Sequence, residues 1–132
     1  MTNLDKESLK GITALLIHAA KIDELYSEHE KDIIKNFIKS FSKEENIDNF
    51  LFECEKIEEN SNQLLSFTNI IKKKSLEIKK EIIESLWKII ISDNSIDQYE
   101  SNLMRRICGL IYFSDKLSGE IKMSLTLERK KI

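Results

Sequence analysis

No proline occurs in the chain, and only three glycines do: Gly11, Gly109 and Gly119. Sheets and long loops draw on both residue types for their turns, so this scarcity excludes a fold of many hairpins. Helices joined by short polar corners remain. Cysteine is nearly as rare. Cys54 and Cys108 stand alone, with no CxxC spacing and no histidine cluster, which excludes a disulfide framework and an ordinary zinc site. Both fall on apolar helical faces, where a free thiol behaves as a small hydrophobe, and a reducing compartment suits them. Apolar runs such as Ile89-Ile90-Ile91 are far too short to cross a bilayer. The opening residues, Met1 to Glu7, lack the basic and apolar regions of a signal peptide, so a cytoplasmic location is expected. Neither sign of charge dominates. A net charge of −2, from 21 basic and 23 acidic residues, gives no reason to expect nucleic-acid binding or attraction to an anionic membrane.

What is present is helical spacing. The 132 residues fit one domain, expected to span 1–132 with an ordered core over about 4–125 and a fraying basic tail at 128–132. Hydrophobic residues make up 41%, too many for a disordered chain despite 33% charge. Apolar residues recur at intervals of three and four almost throughout, which predicts an all-α fold of about seven short helices. Helix one carries Ile12, Leu15, Leu16, Ala19 and Ala20. Helix two carries Ile33, Ile34, Phe37, Ile38 and Phe41, and helix three Ile47, Phe50, Leu51, Cys54 and Ile57. Helix four has Leu64, Phe67, Thr68 and Ile71. Helix five has Ile82, Ile83, Leu86, Trp87, Ile89 and Ile90, an arc wide enough to make it the most buried. Helix six has Leu103, Ile107, Leu110 and Ile111, and helix seven Leu117, Ile121 and Leu125. Ser42 and Glu45 have the spacing of a capping box, and Ser75 is placed to cap helix five.

The most informative feature is an internal repeat offset by seventy residues: Leu16–Phe37 and Leu86–Ile107 follow the same pattern. Leu16 matches Leu86, Asp23 matches Asp93, and Glu30 matches Glu100. Apolar pairs follow at Ile33/Leu103, Ile34/Met104 and Phe37/Ile107. Two pseudo-symmetric helix–turn–helix units are therefore expected. Ser27 with Glu30, and Asp97 with Glu100, each have capping-box spacing. Asp23 and Asp93 are harder to explain, because each stands at a helix C-terminus, where the dipole disfavours an anion. Three readings fit them: an Asx-turn to the following backbone, an acidic surface for a partner protein, or weak coordination of a divalent cation. The cation would be held by Asp23, Glu24 and Glu28, or by Asp93, Asp97 and Glu100, with Glu30 the counterpart of Glu100. An EF-hand is excluded, since counting from Asp93 puts Gln98 where glycine is needed and Met104 where the bidentate glutamate is needed.

The run from Ala19 to Glu30 resembles the A-x-x-D-G-x-I-S/D-x-x-E segment of TerB-like tellurite-resistance proteins. The run from Leu86 to Glu100 resembles the family's second copy, LW-x-x-x-x-D-G-x-L-D-x-x-E, and Arg105-Arg106-Ile107-Cys108-Gly109-Leu110 is similar to its R-R-I-x-x-L. The resemblance implies a TerB-like bundle with an acidic surface, cytoplasmic and tied to tellurite or other stress resistance. Glu24 and Asn94 stand where the family pattern has glycine. The HPD tripeptide of the J-domain co-chaperones that carry a related domain is absent.

No catalytic constellation is visible. His18 and His29 lie on different predicted elements, with no P-loop, dinucleotide fingerprint or nearby nucleophile. The Lys72-Lys73-Lys74 run with Lys79 and Lys80 reads as a solvated corner, and Trp87 as a core residue. The expectation is a non-enzymatic module of the stress response, without a cofactor beyond a weakly bound cation. It would meet a protein partner, insert in no membrane, and exist as a monomer or weak homodimer. The alternative is a metal-assisted hydrolase or lyase using the same carboxylates.

Overall fold

The helical spacing becomes seven α-helices in the computed structural model, which describes residues 4–21, 26–43, 45–61, 64–91 and 98–130, the side chains of 98–101 and 128–130 excepted. In chain order they are α1 (Lys6–Ala20), α2 (Glu28–Phe41), α3 (Ile47–Glu59), α4 (Leu65–Lys72), α5 (Leu76–Ile91), α6 (Gln98–Leu110) and α7 (Asp115–Lys130). No strand occurs among the described residues.

Side-chain caps set most starts. The Ser8 amide donates to the Asp5 carboxylate at 3.1 Å, the Ile78 amide to Ser75 Oγ at 3.3 Å, and the Leu117 amide to Ser114 Oγ at 3.3 Å. The Ser42–Glu45 box does not form. Ser42 instead closes α2 in extended backbone, and α3 starts at Ile47 under a cap from Asn46, whose amide oxygen accepts from the Asn49 amide at 3.0 Å. This entry turns Phe50, Leu51 and Cys54 inward. Burying that face outweighs a cap worth about 1 kcal/mol.

The core is centred on α1, not on α5 as the width of its apolar arc suggested. Eleven of the fifteen α1 residues are buried, against ten of sixteen in α5. α1 packs on α2, α3, α4 and α5. Small residues permit this crowding: Gly11, Thr13, Ala14, Ala19 and Ala20 are all buried. At Gly11 the approach is closest, and an added Cβ would lie 2.5 Å from Ile70 Cδ1 of α4. Ile57, expected in the core, is 36% exposed.

The repeat survives folding as matched burial. Ile12/Ile82, Leu16/Leu86, Ala20/Ile90, Ile34/Met104, Phe37/Ile107 and Ile38/Cys108 are all buried pairs. α7 covers α5 as α3 covers α1. Trp87 is sealed beneath α7, its Nε1–H donating to Ser118 Oγ at 2.9 Å and its ring facing Lys122 Nζ at 5.1 Å.

Candidate functional site

Three contacts fix which end of the bundle each helix points to. Asp5, which caps the start of α1, pairs with Lys74 just ahead of α5, at 3.5 Å. Ser40 and Phe41, at the end of α2, line one groove with Glu77, Ile78 and Glu81 from the start of α5. Lys72, also just ahead of α5, holds its Nζ 5.4 Å from the Tyr112 ring just past α6. The starts of α1 and α5 and the finishes of α2 and α6 therefore share one end. The other ends of these helices, Ala20, Glu28, Ile91 and Gln98, bracket the two acidic corners and point to the opposite end.

The first corner is anchored on both flanks. Before it, Lys21 Nζ pairs with Glu58 Oε1 at 2.9 Å and Glu59 at 3.8 Å, and His18 Nδ1 lies 3.3 Å from Glu58 Oε2. After it, Tyr26 takes a φ of 24°, strained for an aromatic residue, and donates its hydroxyl to Glu55 Oε2 at 2.5 Å. Burial, followed by this hydrogen bond to a carboxylate, drives the Tyr26 phenol far above its ordinary range, so it stays a donor. Lys31 Nζ sits 4.9 Å from the Tyr26 ring, on the way to Glu28 at 3.7 Å. The expected Ser27–Glu30 capping box forms: the Glu30 amide donates to Ser27 Oγ at 3.2 Å and the Ser27 amide to Glu30 Oε1 at 2.7 Å. Glu30 is only 4% exposed, so its carboxylate belongs to the cap.

Asp23, Glu24, Asp93 and Asp97 lie outside the described residues, as does the side chain of Glu100. α6 nevertheless begins at Gln98, the register that a second Asp97–Glu100 box requires. Glu28 is 84% exposed on its side chain. Among the described residues, no three His, Cys, Asp or Glu side chains gather as a metal ion would need.

Carboxylates on α3 also pair with lysines of α1 and α2. Glu53 meets Lys10 at 3.2 Å, and Asp48 meets Lys35 of α2 at 2.9 Å. The Lys35 hydrogen bond holds Asp48 below the usual carboxylate range, and hydrogen bonding from Ser8 does the same for Asp5. These shifts favour the charged forms, the opposite of a general acid poised near neutrality. Sequence reasoning missed Tyr26, Glu55 and Glu58 as corner anchors. Their partners lie 29 to 40 positions away, beyond any local spacing rule.

The two corners and the paired burial behind them agree with a comparison to known families. A model described as tellurite resistance protein TerB matches residues 10–123. Searches of curated proteins and of solved structures return no match. No helix among the described residues is long and apolar enough to cross a membrane. With the match covering both helical hairpins and most of the chain, the protein belongs to the TerB family.

Proposed function

We propose that the chain is a non-enzymatic TerB module whose two acidic corners act together, docking a partner protein or weakly holding a divalent cation in a stress response related to tellurite resistance. The observation that carries this reading is the common direction of the four helix ends bracketing the corners. Ala20, where α1 ends ahead of Asp23 and Glu24 in sequence, lies at the same end as Ile91, where α5 ends ahead of Asp93 and Asp97. In this reading the carboxylates of both corners would raise the negative potential at that end, which favours a cation or a basic partner surface. The non-enzymatic part is supported by the carboxylates of α2 and α3, which are taken up by lysines, a tyrosine hydroxyl and a backbone amide.

Titration with calcium, magnesium and zinc, followed by amide chemical shifts, tests the cation part. The expected result is shifts at both corners together, with Asp23→Asn weakening the response around Asp93. Silence at both corners up to millimolar metal leaves only the docking part. That part fails if a partner isolated with the wild type binds the Asp23→Asn/Asp93→Asn variant equally well.

A further inference from the structure

A second surface lies away from the acidic corners, where the finish of α2 meets the first turns of α5. An open groove of about 530 Å³ is lined there by Ser40, Phe41, Glu77, Ile78, Lys80, Glu81 and Glu84. Its floor is apolar: Ile78 is buried, and the half-buried Phe41 ring leans on Phe37 with centroids 4.9 Å apart. Its wall is acidic for a geometric reason. Glu77, Glu81 and Glu84 follow at intervals of four and three, so they rise on one face of α5. Among the described residues, Glu84 alone of the three has an ionic partner, Lys88 at 3.2 Å on the next turn. Glu77 and Glu81 are exposed at the groove and make no ion pair with the described residues, unlike Glu53 and Glu58 against α1 and Asp48 against α2. The carboxylates outnumber Lys80, the one cation in the lining, by three to one.

We propose that this groove docks a basic amphipathic peptide segment of a partner protein. One apolar side chain would rest on Phe41 and Ile78, while flanking lysines or arginines pair with Glu77 and Glu81. Charge complementarity selects this occupant. An acidic segment or an anionic lipid surface would be repelled, and a purely apolar helix would leave the two carboxylates unpaired beside it. The volume has room for several side chains, and an amphipathic helix laid in a groove enters with apolar anchors and charged neighbours. This surface stands independently of the acidic corners: Ala20 and Ile91, the helix ends that precede them, lie at the opposite end of the bundle.

The test uses a fluorescein-labelled peptide of leucine and lysine in helical periodicity, with anisotropy and amide shifts as readouts. Binding should shift amides around 40–41 and 77–84, and it should weaken with added salt. Glu77→Lys with Glu81→Lys, both exposed and outside the core, should cost at least about tenfold in affinity, as expected for removing close charge pairs. Glu120→Lys, an exposed acid on α7, should leave binding unchanged. A lysine-only peptide should bind more weakly, because it lacks the apolar anchor. If shifts instead gather at residues flanking the acidic corners, or if Glu120→Lys weakens binding as much as the groove variants, the groove proposal is overturned. Neither result bears on cation binding at the corners, which the metal titration reads separately.

Discussion

Cys54 has no solvent-exposed surface, and burial pushes its thiol up to about 12 from an ordinary value of 9.0. At neutral pH the group is a protonated thiol, so native protein should resist alkylation at Cys54 and react fully once denatured. The same shift has a pH signature. Between roughly pH 9 and 12 the folded state keeps a proton that the unfolded chain has released, so stability present below pH 9 drains as pH rises through that window. The urea midpoint should decline more gently in Cys54→Ala than in the wild type over this range. At Trp87 the partner matters as much as the ring. Ser118→Ala strands a buried indole N–H and should cost about 1–3 kcal/mol, read from the fluorescence of the chain's only tryptophan during urea unfolding. Trp87→Phe, which removes the donor and the fluorophore together, should leave Ser118→Ala nearly silent in a double-mutant cycle followed by circular dichroism.

Between one helix and the next, glycine and cap positions make sharper tests than bulk apolar content. Gly109 lies inside α6 with nothing within 4 Å of an added Cβ, so Gly109→Ala should stabilise the protein by about 1 kcal/mol. The same substitution at Gly11 should gain less, because the new methyl would lie 2.5 Å from Ile70 Cδ1 and that side chain must turn aside. Urea unfolding of the pair should give unequal changes for one chemical substitution. Tyr112, just past α6, holds a φ of 59° while the Phe113 amide donates to the Cys108 carbonyl at 2.9 Å. Glycine is the usual residue at such a helix end. Element order and most starts were legible, because apolar spacing and the Ser27, Ser75 and Ser27–Glu30 capping signals are local. The Ser42–Glu45 signal was equally local and misled. Asn46 also had capping chemistry, and only the inward face of α3 decided between them. The central place of α1 was hidden for a related reason: small residues weaken an apolar arc on paper while admitting more neighbours in three dimensions.

For the molecule as a whole, the candidate site was half readable. The repeat exposed Asp23, Asp93 and the Ser27–Glu30 cap, since those are patterns along the chain. The clasp that holds the first corner, Tyr26 on Glu55, joins residues 29 apart and left no trace in spacing. Tyr26→Phe should remove it at a cost of about 1 kcal/mol and speed amide exchange at the start of α2 with less effect on the middle of α1. One consequence concerns how the chain comes to be folded at all. α1 is synthesised before every helix that covers it, and its last lateral neighbour, α5, closes only at Ile91. A growing chain must therefore carry its most buried helix only partly covered until α5 has emerged, and a holdase, or a slow ribosome past that point, would govern the yield of native protein.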